Sequence, residues 1–277
     1  MVSAQWEYPA APRRVVGKTR WPGHQNFIAK SLCRMNQQDC SAVVNSWLDR
    51  FSGAIVGKSN EQVINDLAEL FQEDSYWRDA LALSWRLQTV THNQSICSAL
   101  RDLTADIAIT DLQLDVAATP PRIVSRAGTD AIEAFVQFQT DVAHCRGILR
   151  LTPDAQEPDI WRAWTLFTAM DQLIGFEEQI NRSRPRGQSY SRDFRGPNWQ
   201  DKRVSAASYD SHHPDVLVVG GGHAGLSIAA RLTQLGVDTL VVDKNCRVGD
   251  SWRNRYHALT LHNQIHVNHL PYMSFPP

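Results

Sequence analysis

The chain has 277 residues, of which 43% are hydrophobic and 21% charged, with a formal net charge of -1. That composition is ordinary for globular proteins and leaves room for about two domains. The near-neutral balance excludes a global pull toward nucleic acid or anionic lipid, and no apolar run approaches the roughly 20 residues that cross a bilayer.

Residues 1–39 are polar, rich in Pro and Arg, and without a clear period, which predicts an extended arm. This start lacks the apolar core of a secretory signal, although its arginines and few acids are compatible with a transit peptide. The five cysteines (33, 40, 97, 145 and 246) are scattered and form no C-x-x-C pair, so the expectation is reduced thiols in a cytoplasmic protein.

From Ser41 the pattern turns helical. Val43, Val44, Trp47, Leu48, Phe51 and Ile55 fall at three-to-four spacing and predict a core-facing stripe. Ser59, with an acid following in Ser-Asn-Glu-Gln, resembles a capping box, and Val63, Ile64, Leu67, Leu70 and Phe71 continue a second helix. A third helix is expected around residues 91–103, with Ile96, Leu100 and Leu103 inward.

Beyond it the period becomes two. Ile107, Ile109, Leu112 and Leu114 suggest one strand, and further strands follow at Ile132 to Phe138, Ile148 to Leu151, and Trp161 to Phe167. Helices followed by antiparallel strands predict an α+β domain over residues 40–180, with helices covering one curved sheet. Residues 181–213 hold Arg, Ser, Gly and Pro with few aliphatics and read as a linker.

The strongest signal lies after that linker, in a unit spanning residues 214–277. Val216-Leu-Val-Val is a short β-branched strand suited to burial on both faces of a parallel sheet. It runs into Gly220-Gly-Gly222-His-Ala-Gly225 and then an apolar-periodic helix, so G-x-G-x-x-G occurs in the context that gives it meaning. Gly220 permits the turn out of the strand, Gly222 lets a pyrophosphate approach the backbone, and Gly225 lets the helix pack on the strand. The helix N-terminus then faces the phosphates. A second strand, Thr239-Leu-Val-Val-Asp243, ends in an acid 18 positions past Gly225. Asp243 is placed to accept from the adenosine ribose and disfavours a 2′-phosphate, which points to FAD or NAD.

The text after Asp243 contains Gly249-Asp-Ser-Trp252-Arg253, then Tyr256-His257, Leu261-His262 and Leu270-Pro271-Tyr272. It resembles the class B flavin-dependent monooxygenases, whose second strand leads into a G-G-x-W-R loop; Asp250 stands here in place of the second glycine. The resemblance is closest to the flavin-containing monooxygenase branch with an N-terminal extension. It implies that Gly220, Gly222 and Gly225 hold the FAD pyrophosphate, Asp243 the ribose, and Trp252 and Arg253 the stretch toward the flavin, with Asn263 beside the ring. The competing readings are a packing aromatic for Trp252 and a solvated charge for Arg253.

The resemblance also implies NADPH as reductant and insertion of one oxygen atom from O2 into a small organic substrate. No second G-x-G-x-x-G and no F-x-G-x-x-x-H occurs in the chain. The Rossmann unit is expected to be incomplete, the chain to be a fragment lacking the NADPH site, and FAD binding to be weak or absent. His262 and His266 have i, i+4 spacing, but the surrounding text is not an amphipathic helix and no other ligand is near, so no metal site is expected.

The N-terminal domain is similar to the SnoaL-like cone fold. The Tyr76-Trp77-Arg78-Asp79 segment resembles one in which an Asp acts as general base inside the cone, with a structural Arg78–Asp79 ion pair as the alternative. Trp161 and Trp164, three apart on a strand, face opposite sides, so at most one lines a cavity. Asn198-Trp199 with Lys202-Arg203 resembles a segment expected to dock the linker on the flavoprotein body. Two other readings stay open. One is an independent isomerase-like cone using Asp79, with a vestigial Rossmann piece. The other is a non-catalytic module that forms a homodimer through the N-terminal domain or holds a small apolar ligand.

Overall fold

The computed structural model describes residues 35–55, 60–184, 195–258 and 263–276. Ser59, the arm over residues 1–34 and His262 lie outside the described residues. The chain divides into two compact units, Met1–Asp171 and Gln172–Pro277.

In the first unit α1 (Gln37–Ile55) starts earlier than the apolar stripe. Asn36 Oδ1 accepts from the amides of Gln38 and Asp39, and Asp39 Oδ2 accepts from Asn36 N–H, a reciprocal cap that sets the first turn. Its inward stripe (Val44, Trp47, Leu48, Phe51) is buried. Trp47 stacks on Phe51 at 5.1 Å, meets Phe71 edge-on at 5.8 Å, and donates its indole N–H to the Leu70 carbonyl at 2.9 Å.

Helix α2 (Asn60–Ala68) ends before Leu70 and Phe71, which the periodicity had carried into it. Phe71 instead opens β1 (Phe71–Ala80), which hairpins to β2 (Leu87–Thr91). Helix α3 (Asn93–Thr104) follows, and Asn93 Nδ2 donates to the Ala68 and Phe71 carbonyls that α2 leaves behind. The remaining strands are β3 (Thr110–Leu114), β4 (Arg122–Arg126), β5 (Thr129–Gln139), β6 (Ala143–Pro153) and β7 (Trp161–Leu173).

The sheet order is β2-β1-β7-β6-β5-β3, with β4 also on β5. It is mixed, because β1 and β7 run parallel; the antiparallel expectation holds for β1–β2, β3–β5, β4–β5 and β5–β6. Residues of α1, α2 and α3 pack with alternate residues of β5, β6 and β7 in one core cluster. Three helices over one face of a strongly paired sheet is the architecture of the SnoaL-like α+β cone.

In the second unit β8 (Val216–Val219) pairs in parallel with β9 (Thr239–Val242), Val216 opposite Thr239 and Val219 opposite Val242. Helix α5 (His223–Gln234) connects them, the strand–helix–strand half of a Rossmann fold. The expectation that β8 is buried on both faces fails. Leu217 is 55% and Val219 81% exposed, because one helix covers only one face of a two-stranded sheet.

The stretch read as a linker contains α4 (Trp199–Ser208), capped by Asn198 and Asp201 in a capping box. The residues just after β7 belong to this unit. Gln179 N–H donates to the Gln234 carbonyl at 2.7 Å, Glu178 pairs with Arg231 at 2.6 Å, and Tyr272 hydroxyl donates to the same Glu178 carboxylate.

Candidate functional site

Gly220 ends β8 with φ at +109°, a conformation that favours glycine, and its N–H donates to the Val242 carbonyl at 2.7 Å. Gly222 is the N-cap of α5 and supplies no side-chain cap, so the first-turn amides face outward. A Cβ on Gly222 would meet open space, which is room in which an anion can approach those amides. A Cβ on Gly225 would stand 1.8 Å from the Gly220 carbonyl oxygen and 3.3 Å from Val218 Cγ1. The close approach of helix to strand therefore depends on Gly225 having no side chain.

Asp243 is exposed just past β9. Its Oδ2 accepts from Gly221 N–H at 2.6 Å, and its Oδ1 accepts from Asn245 N–H and Nδ2 at 2.7 and 2.8 Å. These donors, the Asn245 amide first and then that of Gly221, hold the carboxyl below its usual range. A carboxylate offers about four acceptor positions, so one is left after these three donors.

The next loop is built around Asp250, the residue that stands at the second position of the Gly249-Asp-Ser-Trp-Arg segment. Gly249 has φ at +88° and precedes α6 (Asp250–Arg253). Asp250 is buried and accepts from Arg253 Nε at 2.9 Å and from Arg247 N–H at 3.1 Å. The hydrogen bond from Arg253 is the largest reason its carboxyl lies below the usual range. Arg253 also donates to the Val248 carbonyl at 2.6 Å, so its guanidinium closes the loop. Trp252 lies beside the cradle, its ring centroid 6.0 Å from that of His223, the first residue of α5, and 6.0 Å from that of Tyr256. Nothing in the sequence marks His223 beyond its place between Gly222 and Gly225. Asn263 is exposed and is separated from α6 by residues 259–262, which lie outside the described residues.

Among the described residues no cluster of His, Cys, Asp or Glu could hold a metal, and no helix is long and apolar enough to cross a membrane. Trp199, the expected docking residue, is 70% exposed and carries Arg203 over its ring at 5.3 Å. Tyr209 instead ties α4 to the unit, donating to Asp238 Oδ1 at 2.7 Å.

In the cone, Asp79 is fully buried near the end of β1. It accepts from Leu83 N–H, Ser84 N–H at 2.8 Å, Ser84 hydroxyl at 2.5 Å and Thr168 hydroxyl at 2.6 Å. Thr168 in turn accepts from the Trp77 indole at 2.9 Å. Arg78 points to the other face and donates to Thr89 Oγ1, so the Arg78–Asp79 ion pair does not form; adjacent strand residues face opposite ways. The carboxylate closes the β1–β2 loop, whose Leu81 and Trp85 have positive φ. One cavity within the cone, lined by Trp47, Phe51, Leu83, Phe138 and Thr168 among others, measures about 20 Å³, the space of one water.

Comparison with known proteins follows these two units. Residues 218–276 match the NAD(P)-binding Rossmann-like domain family. The chain is related over a limited stretch to flavin-dependent monooxygenases and oxidoreductases. It is 41% identical over 63 residues to an uncharacterized CzcO-like oxidoreductase of Geobacillus kaustophilus, covering 23% of this chain and 18% of that protein. It is 42% identical over 62 residues to the indole-3-pyruvate monooxygenase YUCCA8 of Oryza sativa subsp. indica, covering 22% and 15%. With the FAD-binding monooxygenase andJ of Emericella variicolor it shares 33% over 107 residues, 35% of this chain and 16% of that one. The chain thus matches less than a fifth of the length of these curated relatives.

Among solved structures, ActVI-ORFA of Streptomyces coelicolor overlays on 47% of this chain and 96% of its own, at 17% identity and a TM-score of 0.32. A nuclear transport factor 2-like protein of Salmonella enterica overlays on 49% and 91%, at 14% identity and a TM-score of 0.35. At those scores the cone assignment rests on the strand order and helix placement described above.

Proposed function

We propose that the second unit grips the adenosine diphosphate end of FAD and that the chain is the N-terminal part of an FAD- and NADPH-dependent monooxygenase acting on a small organic substrate. The observation that carries this reading is the contact at Gly225, where helix and strand approach so closely that only glycine fits. That approach brings the uncapped end of α5 beside the Asp243 carboxylate. The α5 amides would bind the diphosphate, Asp243 would orient the ribose with its remaining acceptor position, and Gly222 would leave space for the contact. Trp252 would lie along the cofactor, while Arg253, through Asp250, would hold the loop that presents it. Asn263 would stand nearer the flavin ring. The cofactor would supply the redox chemistry and the oxygen transfer. A cytoplasmic location follows the cysteine usage and is part of the same proposal.

The 277 residues hold no second glycine motif for NADPH, so the chain alone is expected to bind ADP or FAD weakly and to leave NADPH unconsumed. Titration with ADP and FAD, followed by flavin fluorescence and calorimetry, tests this. Saturable binding of both ligands, lost in Gly225→Ala, supports the reading. No binding of ADP at millimolar concentration sinks the cradle, and steady NADPH oxidation by the purified chain sinks the inactivity.

The alternative of an isomerase-like cone, with Asp79 as base, has less support. Asp79 has its acceptor positions filled from within the fold, and the cavity bordered by Leu83 and Thr168 has space for little more than a water.

A further inference from the structure

The first residue of α5 is His223, and the residue before it, Gly222, caps the helix without a side chain. In a helix each Cα–Cβ bond tilts toward the N-terminus, so a side chain at the first position projects past the first-turn amides into the space in front of them. That is the space in which an anion approaches those amides. Trp252 borders the imidazole at 6.0 Å between ring centroids, and both residues are exposed. Two other histidines of this unit have partners. His212 pairs with Asp238 at 3.3 Å, and His269 Nδ1 accepts from the Phe275 N–H at 3.0 Å. Among the described residues no hydrogen bond or ion pair engages the His223 imidazole.

The charged groups on the elements around it are matched among themselves. The first turn of α5 contains no acid. At α6 the Asp250 carboxylate is shared by Arg247 and Arg253. Just past β9, Asp243 accepts from the Asn245 and Gly221 amides, which hold its carboxyl below the usual range. It therefore stays ionised wherever a histidine titrates. Lys244 and Tyr256 are exposed. Of these groups only a histidine has an ordinary charge change between about pH 5 and 8.

We infer that His223 is a side-chain contact of the cradle, its imidazole donating to the dinucleotide diphosphate and holding it most tightly as the imidazolium. The inference rests on the diphosphate reading above and adds to it a named side chain and a pH dependence. The helix mouth offers partial charge, whereas an imidazolium brings a full charge to a group that carries two negative ones. A bound anion favours the imidazolium, so binding takes up a proton near neutral pH. Affinity is accordingly greatest at acid pH, where the imidazole is charged before the ligand arrives, and declines as pH rises. The ring contact with Trp252 keeps the imidazole beside the mouth in both states.

ADP-ribose is the probe, because its diphosphate is a diester with no proton to gain or lose over this range, unlike that of ADP. Calorimetry of the full chain is expected to give a dissociation constant about tenfold lower at about pH 5.5 than at about pH 8. Titrations in buffers of different ionisation heat are expected to show proton uptake. His223→Gln is expected to lose the slope with pH. His223→Lys keeps a positive charge throughout and is expected to bind about tenfold more tightly than the wild-type chain at about pH 8, a gain that loss of folding does not produce. Equal affinity of the wild-type chain at both pH values, or a slope that persists in His223→Gln, overturns the inference and leaves the diphosphate cradle standing. No binding of ADP-ribose at any pH overturns both. Should His223→Gln lose its native circular dichroism, the other two measurements decide: no proton uptake and no gain in His223→Lys overturn the inference, and both together support it.

Discussion

Single atoms decide much of the second unit. Gly225→Ala would place a methyl carbon 1.8 Å from the Gly220 backbone oxygen, so the helix or the turn must shift. The expected cost is at or above the ~3 kcal/mol upper end for overpacking, read as a lower unfolding midpoint for that unit. Asp243 gives a pH dependence with a definite sign. Its carboxyl is held below the usual range by the amides of Asn245 and Gly221, so it binds fewer protons folded than unfolded. The stabilisation is present above the ordinary Asp pKa and is lost as pH falls through the lower, folded value. Acid titration of the second unit should therefore show a loss of stability below about pH 4 that Asp243→Asn removes. In the cone, Asp79→Asn leaves one oxygen where two accepted and sets an amide against the Leu83 and Ser84 N–H groups. A loss of about 3 kcal/mol in chemical denaturation is expected, because several buried hydrogen bonds are broken at once.

Elements are defined as much by what terminates them as by their own periodicity. The α1 stripe, α3 and the strands β5 and β7 were legible in the sequence because apolar residues recur there at the period of the element. β1 was not legible. Its inward positions include Ser75 and Asp79 as well as Trp77, and Gln72, Glu73, Asp74 and Arg78 lie between them, so hydrophobicity alternates poorly. The segment after β7 was also missed. Glu178 carries no periodic signal, yet it accepts from Arg231 and Tyr272, and Arg231 stacks 5.1 Å above the Tyr272 ring. That small cluster binds the segments on either side of the half-Rossmann unit to α5. Glu178→Ala should destabilise the second unit by about 1–3 kcal/mol and leave the cone unfolding unchanged, as read by calorimetry.

At the scale of the molecule the two units differ in what they can bury. The cone holds a single cluster that includes Trp47, Phe51, Phe71, Trp77 and Phe138. The second unit has a two-stranded sheet with Leu217 and Val219 on an exposed face, and such a small sheet is marginal without further cover. Two calorimetric transitions are expected, with the half-Rossmann unit melting first and binding a hydrophobic dye before the cone unfolds. A single cooperative transition would contradict that independence.

By itself the sequence determined the strand–turn–helix–strand of the second unit, because Gly220, Gly222 and Gly225 act through backbone geometry and short spacing that a linear text preserves. It also determined the helical stripe of the cone and the strands that alternate cleanly. Only the tertiary structure decided that Asp79 closes a loop, that Asp250 occupies Arg253, and that His223 stands beside Trp252. His223 and Trp252 stand 29 positions apart and Asp79 and Thr168 89 apart, and the fold, not spacing along the chain, brings them together.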